Sequence, residues 1–329
     1  MASSDHQQSP ETTNLRLLLI HRYPRFKTLY LSKLRTRYRI LDPLDKSDPS
    51  FIPLSNSVRV MLCVGPTPVT LETLDKYPAL ECVVGTSAGF DHFNLNECRR
   101  RGICVTTAGD SFSDDVADFA VGLLIDVVRR VSVADRFVRG GCWPVKGELR
   151  PLGSKVGGKR VGIVGLGSIG SRVGKRLEAF GCNIAYTSKR MKPNVSFPFH
   201  SNIHDLAISS DVLILCCSLT KETHCIVDKN VLNALGKEGI VINVGRGALV
   251  DEKELVQCLK RGEIGGAGLD VYENEPHVPE VLFGLDNVVL SPHVAVLTPE
   301  SFEALEELFT YNLEAFFSNK PLRAQIEYE

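Results

Sequence analysis

The string Gly165-Leu166-Gly167-Ser168-Ile169-Gly170 follows the β-like run VGIV and opens the helix-like stretch SRVGKRLEAFG, and nothing else in the chain limits its fold as narrowly. Glycine-rich turns alone are common. Between a strand and a helix, each of these glycines meets a separate need. The first makes a tight turn, the second lets backbone approach a pyrophosphate, and the third lets helix pack closely on strand. The helix N-terminus then offers unpaired N–H groups to phosphate. The stretch reads as a dinucleotide-binding unit; the competing reading is a purely structural glycine turn.

In such a unit the end of the second strand, about twenty residues past the motif, meets the adenine ribose, and an acid there accepts from the 2′-hydroxyl of NAD. Here the hexapeptide AYTSKR presents Ser188, Lys189 and Arg190 and no acid. A carboxylate would repel a 2′-phosphate, whereas these three side chains can hydrogen-bond it with charge assistance. NADPH is the expected cofactor. The plainer alternative is that the two bases only solvate a loop.

Around this unit, short apolar runs alternate with longer amphipathic ones, as in α/β folds. LRLLLI (15–20), RVMLCV (59–64), ECVVG (81–85) and GICVTT (102–107) are strand candidates that precede the glycine motif. RVGIVG, NIAYTS, DVLILC, GIVINVG, GGAGLDV and NVVLSP form a second series. Between the series, SDDVADFAVGLLIDVVRRV has apolar residues at helical spacing, with Ser113 as the expected cap and Asp114 and Asp115 at the positive dipole end. Asp251 with Glu254 makes a capping box, and Thr298 followed by Pro299 starts a last helix striped with Phe302, Leu305, Phe309, Leu313 and Phe316. That stripe is expected to return to the first domain. The expected division is a disordered lead over 1–14, a substrate domain from 15–112 and 297–329, and a coenzyme domain over 113–296.

Composition excludes several classes. At 329 residues, 43% hydrophobic and 23% charged, the chain suits two well-packed domains, and a formal charge of -1 gives no general attraction to nucleic acid or an anionic membrane. CRRRG (98–102) is the densest basic run, and three arginines before a glycine suit a helix C-terminus. The ten cysteines lack framework spacing and read as buried free thiols in a reducing compartment, the neighbours Cys216 and Cys217 among them. No C-x-x-C pair is present, and His200 and His204 lack partners at ligand spacing, so no metal is expected. The first residues carry no secretory or arginine-rich signal and no apolar run reaches membrane-spanning length, so the cytoplasm is the expected location.

Three residues past later strand candidates complement a 2-oxo acid. Arg246 in INVGRG could hold its carboxylate bidentately and polarise its carbonyl, and His293 in SPHVA could protonate the oxygen as hydride arrives. Glu275 in VYENEP could keep that imidazole charged. Singly, each has a plain reading as a loop ion pair, a solvated turn acid or a strand-end cap. Together, past the strand ends of a dinucleotide domain, they occupy the edge where such sheets bind ligands.

VGIVGLGSIG, INVGRGALVDEKELVQCLKRGEIGGAGLDVYENEP and NVVLSPHVA, in this order, resemble the D-isomer-specific 2-hydroxyacid dehydrogenases over nearly the whole chain after residue 15, with the plant-type glyoxylate/hydroxypyruvate and hydroxyphenylpyruvate reductases as nearest branches. The resemblance implies two doubly wound parallel-sheet domains, a Rossmann-type coenzyme domain inserted in a flavodoxin-like substrate domain. It implies Arg246 as the substrate-binding arginine, Glu275 as the carboxylate partner and His293 as the general acid. It also implies that the loop VGTSAGFDHF offers the N–H groups of Ser87, Ala88 and Gly89 to the substrate carboxylate. Asp270 and Val244 match contacts of the nicotinamide end, Cys217 is placed with the coenzyme contacts, and Ser188, Lys189 and Arg190 match a segment reading the 2′-phosphate. Trp143 matches a tryptophan near a dimer arm, so a homodimer is implied.

Two departures bear on substrate. After His293 the family continues with a small residue and a serine, where this chain has Val294, Ala295, Val296 and Leu297 before Thr298; VTTAGDSFSDD lacks a common proline. The expected activity is NADPH-dependent reduction of glyoxylate and hydroxypyruvate to glycolate and D-glycerate, in a photorespiratory setting. A reductase of 4-hydroxyphenylpyruvate suits a more apolar pocket, and a non-catalytic dinucleotide-sensing corepressor belongs to a different class.

Overall fold

The structure is a computed structural model that describes residues 15–24, 26, 30–45 and 51–327, so the lead expected over 1–14 lies outside the described residues. The chain divides into two compact units, Met1–Ser111 with Phe302–Glu329, and Phe112–Ser301.

The first unit is built on five parallel strands, β1 (Arg16–His21), β2 (Tyr38–Leu41), β3 (Val60–Cys63), β4 (Cys82–Gly85) and β5 (Cys104–Thr106), in the order β2-β1-β3-β4-β5. Their runs are apolar on both faces because both faces are covered: Leu19, Met61, Val83 and Val105 are fully buried. The stretch CRRRG closes the helix Leu95–Arg101, with Gly102 at φ +70° as its left-handed cap and Arg100 and Arg101 paired to Glu97. The returning part of the last helix, Pro299–Phe317, buries Leu305, Phe309 and Leu313 in this unit. The tail behind it is tied down, since buried Asn312 exchanges hydrogen bonds with the Arg323 backbone and Ile326 N–H donates to the Val105 carbonyl.

The second unit carries β6 (Arg160–Val164), β7 (Asn183–Thr187), β8 (Val212–Leu215), β9 (Ile240–Asn243), β10 (Gly266–Leu269) and β11 (Val288–Leu290), all parallel, in the order β11-β10-β9-β8-β6-β7. The order turns at β6, whose two neighbours are β7 and β8, so the loops after β6 and β8 flank the switch point where such sheets bind ligands. The helix Ser113–Arg129 packs on this sheet and buries Val116, Ala120, Leu123, Leu124 and Val128. Ser113 is not its cap: Phe112 holds that position without a side-chain hydrogen bond, and Ser113 is the buried first helical residue. Asp251 does cap Glu252–Arg261, accepting from the Glu254 N–H, and Gly262 ends that helix at φ +66°.

All ten cysteines are free, but Cys104, Cys142, Cys216, Cys217 and Cys225 are partly exposed, against the expected burial, and Cys216 and Cys217 show why. They lie just past β8, where the chain leaves the sheet at the switch point instead of staying inside it. Among the described residues, no helix is long and apolar enough to cross a membrane and no group of three His, Cys, Asp or Glu is placed to hold a metal ion.

Candidate active site

The glycine loop shows three separate reasons for glycine. Gly165 leaves β6 at φ +94°, and an added Cβ would lie 2.6 Å from the Cα of Cys217. An added Cβ at Gly167 would meet no atom within 4 Å, so this backbone is open to a ligand. At Gly170 a Cβ would come within 2.2 Å of the Gly165 carbonyl oxygen, so its absence lets the helix Ser168–Ala179 sit against the turn. Leu166 is buried, Ser168 is exposed at the helix start and Ile169 is half-buried. The loop therefore fits a dinucleotide: one position held for the turn, one left open and one closed for packing.

Past β7, the Ser188 hydroxyl donates to the Arg190 carbonyl at 2.6 Å, and the buried Tyr186 hydroxyl accepts from the Lys192 N–H at 2.8 Å. These bonds bend the chain back after the strand. Lys189 and Arg190 are exposed on the bend. Glu222, which no sequence motif singles out, lies near Lys189; its carboxyl is held below the usual range by the Thr220 hydroxyl and its own N–H, with Lys189 and Lys221 adding to the effect.

Arg246, Glu275 and His293 come from the loops after β9, β10 and β11. His293 Nδ1 lies 2.8 Å from Glu275 Oε2, with the two side chains about one-third exposed at 35% and 33%. The other Glu275 oxygen accepts from the Tyr272 N–H at 3.2 Å. Partial burial alone would push the Glu275 carboxyl up, but the hydrogen bond and charge of His293, the Tyr272 N–H and the charge of Arg246 outweigh it and hold the carboxyl below its ordinary value. With Nδ1 on the carboxylate, Nε2 is the atom that can pass a proton outward.

Two polar residues shape these loops from beneath. Buried Asn243 donates from Nδ2 to the Arg246 carbonyl at 2.9 Å and accepts the Gly245 N–H at 3.1 Å, wrapping the turn that carries the arginine. Val244 is buried in the same turn. Asp270, 1% exposed, accepts from Ser291 Oγ and from the N–H groups of Val294 and Ala295 at 2.7, 2.9 and 3.0 Å, while its carbonyl accepts the His293 N–H at 2.8 Å. His293 sits in this cage at φ +54°, a left-handed conformation uncommon outside glycine, and the cage over-determines it. The sequence signal for Asp270 was its match to a coenzyme contact; the geometry gives its carboxylate to the histidine loop.

In the first unit, Ser87 shapes its own loop. Its hydroxyl donates to the Gly89 carbonyl at 3.0 Å and lies 3.3 Å from His92 Nε2, and its carbonyl accepts the Ala108 N–H. Ser87 and Ala88 follow β4 after Thr86, at the carboxyl edge of that sheet.

Residues 121–295 match the sequence profile of the D-isomer specific 2-hydroxyacid dehydrogenase NAD binding domain. A glyoxylate/hydroxypyruvate reductase of Arabidopsis thaliana is 54% identical over 322 residues, which cover 96% of this chain and 99% of the relative. The chain belongs to the D-isomer specific 2-hydroxyacid dehydrogenases. Within that family, a hydroxyphenylpyruvate reductase of Plectranthus scutellarioides is 46% identical over 82% of this chain and 85% of its own. Among solved structures, an NADPH-dependent glyoxylate/hydroxypyruvate reductase of Sinorhizobium meliloti, crystallised with NADP and malonate, superposes with a TM-score of 0.87 at 34% identity, covering 95% of this chain and 97% of that one. The family's parallel α/β architecture, its nucleotide-binding sheet included, is the one this dehydrogenase adopts.

Proposed function

We propose that this chain is an NADPH-dependent reductase of small 2-oxo acids, converting glyoxylate to glycolate and hydroxypyruvate to D-glycerate. The observation that carries the reading is the His293–Glu275 pair at 2.8 Å beside the Arg246 loop, past three strand ends of a nucleotide-binding sheet. Bound NADPH supplies the hydride that reaches the carbonyl carbon. Arg246 holds the carboxylate and polarises the carbonyl, and its planar fork suits both oxygens of a carboxylate. His293 gives a proton from Nε2 to the carbonyl oxygen, and Glu275 stabilises the charged ring before transfer. The N–H groups of Ser87, Ala88 and Gly89 are the proposed partners of the carboxylate in the first unit. A protein that bound NADPH but oxidised it with no 2-oxo acid would be the dinucleotide sensor instead.

Lys189 and Arg190 are assigned to the 2′-phosphate, supported by their exposure on the bend after β7 and by the absence of an acid from that bend. Replacing both by alanine should lower the ratio of kcat/KM for NADPH over NADH by about 10-fold or more, since hydrogen bonds to charged groups contribute about 1.5–3 kcal/mol each. Steady-state kinetics with both cofactors measures it. An unchanged ratio would move the selectivity elsewhere, Ser188 being next.

A second reading, reduction of 4-hydroxyphenylpyruvate, is favoured by Val296 and Leu297 close behind His293, the latter 54% exposed. The exposed apolar residues Val131, Val138, Trp143, Val145 and Leu152 support a second copy of the chain as their cover. The cytoplasm is the proposed location.

A further inference from the structure

The bend that presents Lys189 and Arg190 hangs on one residue of β7. Tyr186, next to the last position of that strand, is only 1% exposed although it carries a phenol oxygen. Its N–H donates to the Pro198 carbonyl at 2.9 Å and its carbonyl accepts the His200 N–H at 2.8 Å, so the chain that leaves the sheet after Thr187 returns to it as a bridge at Phe199. The Phe199 ring lies against the Tyr186 ring, with centroids 5.4 Å apart. Both ends of the excursion are thus closed by backbone bonds and ring packing.

The phenol adds a tie of another kind. Its oxygen accepts the Lys192 N–H at 2.8 Å and so reaches past the strand end into the excursion itself. With the bond from Ser188 Oγ to the Arg190 carbonyl at 2.6 Å, residues 188–192 are pinned once within the bend and once to the sheet. The sheet anchor is coupled to the glycine turn, because the Gly165 N–H donates to the Thr187 carbonyl at 2.8 Å, one residue beyond Tyr186. That coupling matters for recognition. A 2′-phosphate and a pyrophosphate belong to one coenzyme molecule, so the groups that receive them must stand within its span, and side chains already held in place lose less freedom on binding.

We infer that Tyr186 is a positioning residue for coenzyme choice: through its bond to Lys192 the hydroxyl holds Lys189 and Arg190 where the 2′-phosphate of a coenzyme seated at the glycine turn meets them. It contributes nothing to a coenzyme that lacks this phosphate. The ring alone would satisfy the core. Phenylalanine there would fill the same space and keep both backbone bonds and the contact with Phe199, so removing the hydroxyl leaves the excursion closed and its bend loose. This inference deepens the reading above and rests on its assignment of Lys189 and Arg190 to the 2′-phosphate.

The test is calorimetric titration of the full chain with adenosine 2′,5′-bisphosphate and with adenosine 5′-monophosphate, which differ only in the 2′-phosphate. Tyr186→Phe should lower the preference for the bisphosphate about fivefold, the effect of one net hydrogen bond, with the monophosphate bound as by wild type. Lys189→Ala combined with Arg190→Ala should lower it further, and adding Tyr186→Phe to that pair should change it no more, because the hydroxyl acts through those two side chains. A preference unchanged in Tyr186→Phe overturns the inference while sparing the reading of the two bases. Equal weakening of both ligands with a lowered Tm makes the hydroxyl merely structural and overturns it as well, and so does a further fall in the triple variant. Wild-type preference in the Lys189→Ala, Arg190→Ala protein overturns the assignment of the bases, and the inference with it.

Discussion

His293→Ala is expected to lower kcat for 2-oxo acid reduction by about 10²–10⁴-fold, the usual contribution of a placed general acid. The loss should fall on kcat more than on KM for NADPH, because the coenzyme loop hangs on β6 and the histidine on the loop after β11. A rate equal to wild type with every 2-oxo acid tested would end the enzyme reading. Glu275→Gln separates the roles of the pair. It keeps an oxygen for Nδ1–H but removes the charge that favours the protonated ring, so the alkaline fall of activity should move to lower pH. An unchanged profile would remove Glu275 from that role. The carboxyl's own titration has the opposite sense: its folded pKa is below the ordinary value, so its stabilising effect is complete above the unfolded pKa and fades as pH drops through the folded one. Melting curves of wild type and Glu275→Gln should therefore converge in acid.

The nucleotide unit was legible because its signals are local. A strand, three glycines and a helix lie within one short stretch, and each glycine meets a different backbone demand. Continuous apolar runs likewise marked the strands, since both faces of these parallel sheets are covered. The strand Tyr38–Leu41 carries no such mark: at the sheet edge it is four residues long and turns Arg39 outward, so it offers no apolar run. Serine before two acids fits a cap, yet Ser113 lies buried inside the helix and Phe112 holds the cap position. Asn243 and the inward use of Asp270 could not be read at all. Both act across loops from different strands, and only the folded sheet brings Asp270 to Val294 and Ala295.

Gly247→Ala is expected to damage both stability and catalysis, because this glycine is where two catalytic loops touch. A Cβ placed there would lie 1.9 Å from the Tyr272 carbonyl carbon, 2.1 Å from its oxygen and 2.3 Å from the Glu273 nitrogen. Every one of these is backbone, so no side chain can swing aside, and the Arg246 turn must part from the segment that leads to Glu275. Overpacking usually costs about 1–3 kcal/mol, and backbone against backbone belongs at the upper end. In a unit of this size that lowers Tm by about 6–12 °C. The same parting displaces Arg246 from the substrate carboxylate proposed for it and Glu275 from His293; a shift near 1 Å costs about 10²-fold in rate. The coenzyme loop is two strands away across β8, so KM for NADPH should move far less than kcat. Thermal melts and kinetics on one preparation decide the matter. A variant that melts and turns over like wild type would mean that the loops separate freely, and that their contact at Gly247 does not set the geometry of Arg246 and Glu275.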